Sequence, residues 1–258
     1  MAITIQIKHT GIEKIFLFQD TDVIVCKNTH ELPDYELFET LRKNNQMEFF
    51  FQETQHNYIA AQIKKDFKLP PEYELITHRA IFASNNDYSA LSARARSVLN
   101  WRRNFRYCSK CGSTVNDCTD ETACECDRCK IRFYPQNSPA IIVQVYKGEK
   151  QLLAHHIKHR DGLYTCIAGF LEPGETVEAC VKREVFEETS IIVDNVQYIE
   201  SQAWPFPHQL MIGCTAEWLS GEISVEKTEL TDAQWFLPSN LPEIPTEGTL
   251  ARKLILLR

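Results

Sequence analysis

The sequence contains no apolar run long enough to cross a bilayer as a helix, which takes about 20 residues. Its start, MAITIQIKHTGIEKIFLF, lacks the basic segment and uninterrupted apolar stretch of a secretory leader. The final Leu256-Leu257-Arg258 is not a peroxisomal Ser-Lys-Leu signal. These absences lead us to expect a cytoplasmic protein with no membrane association. Low-complexity linkers and internal repeats are also missing. Basic charge is short as well: 28 Lys and Arg stand against 35 Asp and Glu, a net charge of −7. That sign disfavours broad, salt-driven binding of nucleic acid, while leaving room for a local basic patch or a small anion held through metal.

Cysteine, by contrast, is plentiful. Ten in a cytoplasmic chain point to metal binding or buried thiols rather than disulfides. Cys108-x2-Cys111 and Cys126-x2-Cys129 are separated by fourteen residues, the spacing of a four-thiolate zinc ribbon. Each pair sets two sulfurs on a tight knuckle, and two knuckles complete a structural tetrahedron for Zn²⁺. Cys124 could stand in for Cys126, but the paired spacing favours Cys126 and Cys129 and leaves Cys118 and Cys124 as spare thiols. A ribbon can also bind nucleic acid. Arg102, Arg103, Arg106, Lys130 and Arg132 favour that reading, while Asp117, Asp120, Glu121, Glu125 and Asp127 argue against it.

The ribbon divides the chain into an N-terminal α+β domain (1–104), the ribbon itself (105–137) and a C-terminal domain (138–258). In the first part, 14–26 reads as strand with an Asp-rich turn inside it, and 32–43 as a short helix opening near Pro33. Residues 73–84 read as strand. Residues 87–108 read as a helix with Asp87 as N-cap and Leu91, Ala95, Val98 and Trp101 as its apolar stripe. No catalytic motif stands out there. The last part alternates: strands at SPAIIVQVYK, QLLAHHI and YTCIAGF, an acidic helix, then strands at IIVDNVQYIESQ, HQLMIGCTAEWL and DAQWFL. LPEIPTEG reads as loop and TLARKLILLR as a closing helix.

The acidic helix carries the chemistry. Pro173-Gly174 marks a turn, and 176–189 holds neither Gly nor Pro, which predicts one helix. At about 100° per residue, Glu184, Glu187 and Glu188 fall in one arc, while Val177, Val181 and Val185 form an apolar row beside it. Three carboxylates next to a packed surface repel one another and raise their pKa values; Mg²⁺ or Mn²⁺, which take oxygen ligands, would relieve that repulsion. A merely solvated acidic face is the plainer reading, and the apolar row weighs against it.

The stretch GFLEPGETVEACVKREVFEETSI (169–191) resembles the Nudix box: Gly169, Glu175, Arg183-Glu184, Glu187-Glu188 and the aliphatic positions all match. Only the last glycine departs, replaced by Ser190, which would take a left-handed conformation after the helix at a cost of roughly 1 kcal/mol. SQAWPFPHQLM (201–211), together with the ribbon and FYPQ (133–136), is similar to the aromatic–proline array of the NADH pyrophosphatase and NAD-capped RNA hydrolase (NudC-type) family. Ala203 and Gln209 replace a proline and a serine of that array.

The resemblance implies an α+β chain: a Nudix α/β/α sandwich with a mixed sheet, preceded by the ribbon and the small N-terminal domain. It implies zinc on Cys108, Cys111, Cys126 and Cys129. It implies divalent metal on Glu184, Glu187, Glu188, Glu229 and the Ala168 carbonyl, and catalysis by the same four glutamates. Substrate contacts would come from Arg79, Tyr134, Phe170, Gln202, Ala203, Trp204, Pro205, Phe206, Pro207, His208, Gln209 and Ala251. The implied reaction is hydrolysis of the diphosphate of NAD(H) to nicotinamide mononucleotide and AMP, on the free dinucleotide or on NAD-capped RNA, by a homodimer. Hydrolysis of another nucleoside diphosphate derivative, such as ADP-ribose, is the alternative within enzymes. A catalytically silent dinucleotide sensor would be expected to lose box acids, and all are present. A ribbon-based RNA-binding protein would want a basic surface.

Overall fold

The computed structural model describes residues 14–83, 88–158, 160 and 162–258. Two compact units emerge: one of residues up to 81 and 86–136, the other of 82–85 and 137–258. The ribbon therefore groups with the first unit.

In that unit, β1 (Lys14–Gln19) and β2 (Asp22–Cys26) form a hairpin whose turn places Asp20 at φ +52°. Helix α1 (Tyr35–Lys43) follows, opened by Asp34, whose carboxylate accepts from the Leu37 amide. Then come β3 (Met47–Glu53), β4 (Tyr58–Ile63) and β5 (Tyr73–Thr77). The sheet order is β3-β4-β1-β2-β5, with β1 parallel to β4 and the other pairs antiparallel. Alternation along β1 feeds two cores. Ile15 and Leu17 pack with Leu37, Phe38 and Leu41 of α1, whereas Phe16 and Phe18 face the other side. There they meet Ala95, Val98 and Leu99 of α3 (Ser89–Asn104).

The strand expected over 73–84 stops at Thr77, where α2 (His78–Ala83) begins. Thr77 Oγ1 accepts from the Ala80 amide at 3.2 Å, so a short side-chain cap converts the strand end into a helix start. The expected Asp87 cap lies outside the described residues. Strands β3 and β4 had no counterpart in the sequence reading.

The ribbon consists of β6 (Asn116–Asp117), β7 (Cys124–Cys126) and β8 (Ile131–Phe133). Arg94 of α3 ties it down by bonding both Glu53 and Thr122.

The second unit is built from β9 (Ser138–Lys147), β10 (Lys150–His156), β11 (Ile167–Phe170), α4 (Val177–Thr189), β12 (Ile192–Trp204), β13 (Gln209–Ser220), β14 (Leu230–Phe236) and α5 (Leu250–Ile255). Its mixed sheet runs β12-β13-β9-β10-β14, with β11 paired to β9 and β13 parallel to β9. Ile141, Val143 and Val145 face Cys180, Val181 and Val185 of α4; Ile142 faces Leu250, Leu254 and Ile255 of α5. This is the expected α/β/α sandwich. Each fully buried aliphatic side chain contributes about 1.5–3 kcal/mol relative to exposure.

The expectation of no repeat needs correcting at the level of topology. The order β3-β4-β1-β2-β5 and the order β12-β13-β9-β10-β14 are the same when each unit is counted from its own first strand, leaving out β11. Both join the first and fourth strands of the unit, second and third in the sheet order, by a parallel pair, and both bury a helix on each face of the sheet. Sequence repeats are invisible because a buried strand asks only for apolar residues, which many sequences supply.

Candidate metal and substrate site

Helix α4 starts where Thr176 Oγ1 accepts from the Ala179 amide, after a turn that holds Gly174 at φ +86°. It ends at Ser190, at φ +60° and ψ +16°, whose amide donates to the Phe186 carbonyl at 2.7 Å. The left-handed cap is thus made by serine, as its position in the motif implied.

Val181 and Val185 are fully buried, and Val177 packs at the edge of the same core. That anchors the acidic arc. Glu188 is 5% exposed, and no basic side chain among the described residues pairs with it. Burial, followed by the nearby charges of Glu184, Glu229 and Glu187, pushes its carboxyl up to about 8. Burial also raises Glu184, against the pull of Arg183 and with the push of Glu187 and Glu229. Glu229 therefore lies within electrostatic reach of the helix acids from an exposed turn before β14.

Arg183 is the organiser. Its guanidinium grips Glu175 with two bonds of 2.8 Å, and donates to Glu184 at 2.8 Å, Glu187 at 2.9 Å and the Phe170 carbonyl at 3.0 Å. The Arg183 bonds hold the Glu175 carboxyl down at about 2. Sequence reasoning placed Arg183 among acids but did not single out Glu175 as its bidentate partner; the eight-residue spacing across a turn carries no helical signal. Gly169 supplies space: a Cβ there would lie 1.9 Å from the Glu184 carboxyl carbon. Ala168 sits beside it in β11, opposite Ile142.

Glu188, buried beside Glu184, Glu187 and Glu229 and without a basic partner among the described residues, adds to a group of hard oxygen donors. That group fits Mg²⁺ or Mn²⁺ in its chemistry.

Of the expected substrate residues, Phe170 is exposed at the end of β11. Trp204 closes β12 opposite Gln209 of β13, so Pro205, Phe206, Pro207 and His208 form the hairpin loop between the two strands. The Trp204 and Phe206 rings meet edge to face at 5.2 Å. Ala203 faces Leu210 across the ladder. Gln202 Oε1 accepts from the Leu250 amide and its Nε2 donates to the Gly248 carbonyl, which brings Gln202 beside Ala251 at the start of α5. Arg79 and Tyr134 belong to the first unit; Arg79 is exposed on α2, and the Tyr134 hydroxyl donates to Glu121.

The Sγ atoms of Cys108, Cys111, Cys126 and Cys129 all lie within 4.8 Å of one another, with Cys111 and Cys126 at 3.6 Å. Tetrahedral Zn–S bonds of about 2.3 Å require sulfurs ~3.8 Å apart, so the cluster fits zinc. The knuckles match: Gly112 and Lys130, each following the second cysteine of its pair, have φ of +72° and +54°. Cys124 is not part of the cluster. Its thiol points to Asp117 at 3.7 Å, and burial pushes it up to about 12. Arg132 is committed to Asp120, Glu121 and Glu125, and Arg102 to Asp117, which removes much of the ribbon's free positive charge.

Residues 136–256 match the NUDIX domain family, and 13–101 match the NADH pyrophosphatase-like rudimentary NUDIX domain family. A protein of Photorhabdus laumondii named NAD-capped RNA hydrolase NudC is 42% identical over 181 residues, 70% of each chain. A protein of the same name from Pectobacterium carotovorum is 46% identical over 165 residues, covering 64% of this chain and 64% of that relative's length. Among solved structures, the MutT NUDIX hydrolase of Burkholderia pseudomallei is 21% identical at a TM-score of 0.42, covering 46% of this chain and 96% of that one. The box, the four-cysteine cluster, the two family matches and the Photorhabdus relative agree, and the chain belongs to the NudC-type Nudix family.

Proposed function

We propose that this protein hydrolyses the diphosphate of NAD(H), as the free dinucleotide and as the 5′ cap of RNA, giving nicotinamide mononucleotide and AMP. The observation that carries the reading is Glu188, a buried carboxyl pressed by Glu184, Glu229 and Glu187, with no basic side chain among the described residues to offset it. Those four acids, with the Ala168 carbonyl, would hold Mg²⁺ or Mn²⁺. When bound, such ions neutralise diphosphate charge and lower the pKa of the attacking water. Water oxygen bonds to phosphorus, the bridging P–O bond breaks, and the water's proton is released to solvent through the acids.

The chain's own part is positioning. Arg183 fixes Glu184 and Glu187, and Gly169 leaves the Glu184 carboxylate room. The exposed Phe170 ring and the 202–209 hairpin offer flat apolar surface to a nicotinamide ring, with Ala251 beside Gln202. Tyr134 and Arg79 are assigned to substrate by family resemblance alone. The same resemblance supports a homodimer, and the four-cysteine cluster supports one structural zinc per chain. Among the described residues no helix is long and apolar enough to cross a membrane.

Glu188→Gln tests the assignment. The variant should fold normally and hydrolyse NADH at least ~100-fold more slowly, because a metal-holding carboxylate is gone. Near-normal turnover by a folded variant in saturating Mg²⁺ or Mn²⁺ would refute the role given to Glu188.

A further inference from the structure

Strand β14 is irregular beside Glu229. His155 of β10 faces Asp232 and His156 faces Leu230, so Thr231 is an extra residue with no opposite number, a β-bulge. The core registers its effect. Leu230 and Ala233 are three residues apart, yet both bury into the cluster under α4, where simple alternation would send them to opposite faces. Straightening the bulge would turn over everything on the N-terminal side of Thr231, Glu229 included.

The segment leading into the bulge is tied to the metal helix. The Ser224 and Glu226 amides donate to the carbonyls of Thr189 and Glu188, and the Glu229 carbonyl accepts from Ile157 at 2.9 Å. Two side chains pin the bulge itself. Thr231 Oγ1 lies 2.5 Å from His155 Nδ1 and 3.2 Å from the His155 carbonyl. His155 Nε2 lies 3.1 Å from the Arg160 carbonyl. That carbonyl can only accept, so Nε2 carries a proton, while the single proton of the Thr231 hydroxyl serves either Nδ1 or the His155 carbonyl. The imidazole is held at both nitrogens. Tyr164 adds a second peg, its ring 5.6 Å from His155 and its hydroxyl donating to Asp232.

We propose that His155 and Thr231 are positioning residues that lock the bulge of β14 and so aim the Glu229 carboxylate at Glu184 and Glu188 on α4. The proposal rests on the reading of Glu229 as a divalent-metal ligand. Neither residue touches substrate in this role; each acts through Glu229.

The test is Mn²⁺ affinity of the full chain, read from free Mn²⁺ by electron paramagnetic resonance, with folding checked by circular dichroism. Thr231→Val keeps the side-chain shape and removes only the hydroxyl. It should weaken Mn²⁺ binding ~10-fold, the lower end for loss of a residue that orients a ligand, and Thr231→Ser should restore it. His155→Leu, which removes the same contact from β10, should reproduce the loss. In the Glu229→Gln background, Thr231→Val should cost nothing further. Wild-type affinity in folded Thr231→Val and His155→Leu, or full additivity with Glu229→Gln, would overturn the positioning role. If Glu229→Gln alone binds Mn²⁺ like wild type, Glu229 is not a ligand, and the proposal falls with that reading rather than through the bulge.

Discussion

His78, 1% exposed at the start of α2, is a histidine kept neutral by its surroundings. Its Nε2 lies 3.0 Å from Ser92 Oγ, and that hydroxyl donates to the Ser89 carbonyl, so the imidazole is the donor to Ser92. Burial, reinforced by the Arg96 charge, pushes its pKa down to about 4. An unfolded histidine titrates near ~6.5, so between these values the unfolded chain binds a proton that the folded one refuses. Stability is therefore fully present above ~6.5 and is lost as pH falls toward the folded value, by about 3 kcal/mol in all. Urea midpoints at pH 7 and pH 4.5 should show the drop, and His78→Gln should flatten it; an equal drop in the variant would place the acid sensitivity elsewhere. Ser190 was readable from the motif because a left-handed cap has a sequence signature. His78 was not, since a buried imidazole and an exposed one are spelled alike.

At the scale of elements, the ribbon is the sharpest case of legible structure. Paired CxxC spacing sufficed to choose Cys126 over Cys124, and the Asp117 contact of Cys124 explains why the spare thiol stays out. Cys126→Ser should lose zinc by elemental analysis and lose solubility with it, because a structural zinc is part of the folding free energy. Cys124→Ser should keep a full zinc. Full zinc in Cys126→Ser would reverse the assignment. Helix α4 was readable for a similar reason: its apolar row at Val177, Val181 and Val185 runs through a stretch with neither Gly nor Pro. Strands β3 and β4 were missed although MEFFFQE and YIAAQI are rich in aromatic and β-branched residues; no turn dipeptide separates them. Strand β5 was extended too far because a threonine cap looks, in sequence, like one more strand residue. The bulge at Thr231 left no trace at all, since it is a property of pairing between strands and not of either strand alone.

For the molecule as a whole, charge sets how RNA would be handled. A net −7, with Arg102 and Arg132 already bound to acids, leaves little to follow a phosphate backbone. Parallel kinetics on NADH and on NAD-capped RNA should therefore give a ratio of kcat/KM that changes less than ~10-fold between about 50 and 200 mM salt. A loss of ~1,000-fold on the RNA alone would reveal an extended phosphate track. Finally, the shared strand order makes the chain its own control experiment. One copy of the architecture has a helix whose acid is at peace: Glu39 of α1 is bonded by Arg42 and Tyr35. The other copy keeps Glu188 buried and at odds with its neighbours. Carrying both on one chain separates what an architecture demands of its sequence from what a reaction demands. The two helices occupy corresponding places in one strand order, so the difference between a bonded acid and a crowded one lies in the side chains and not in the architecture.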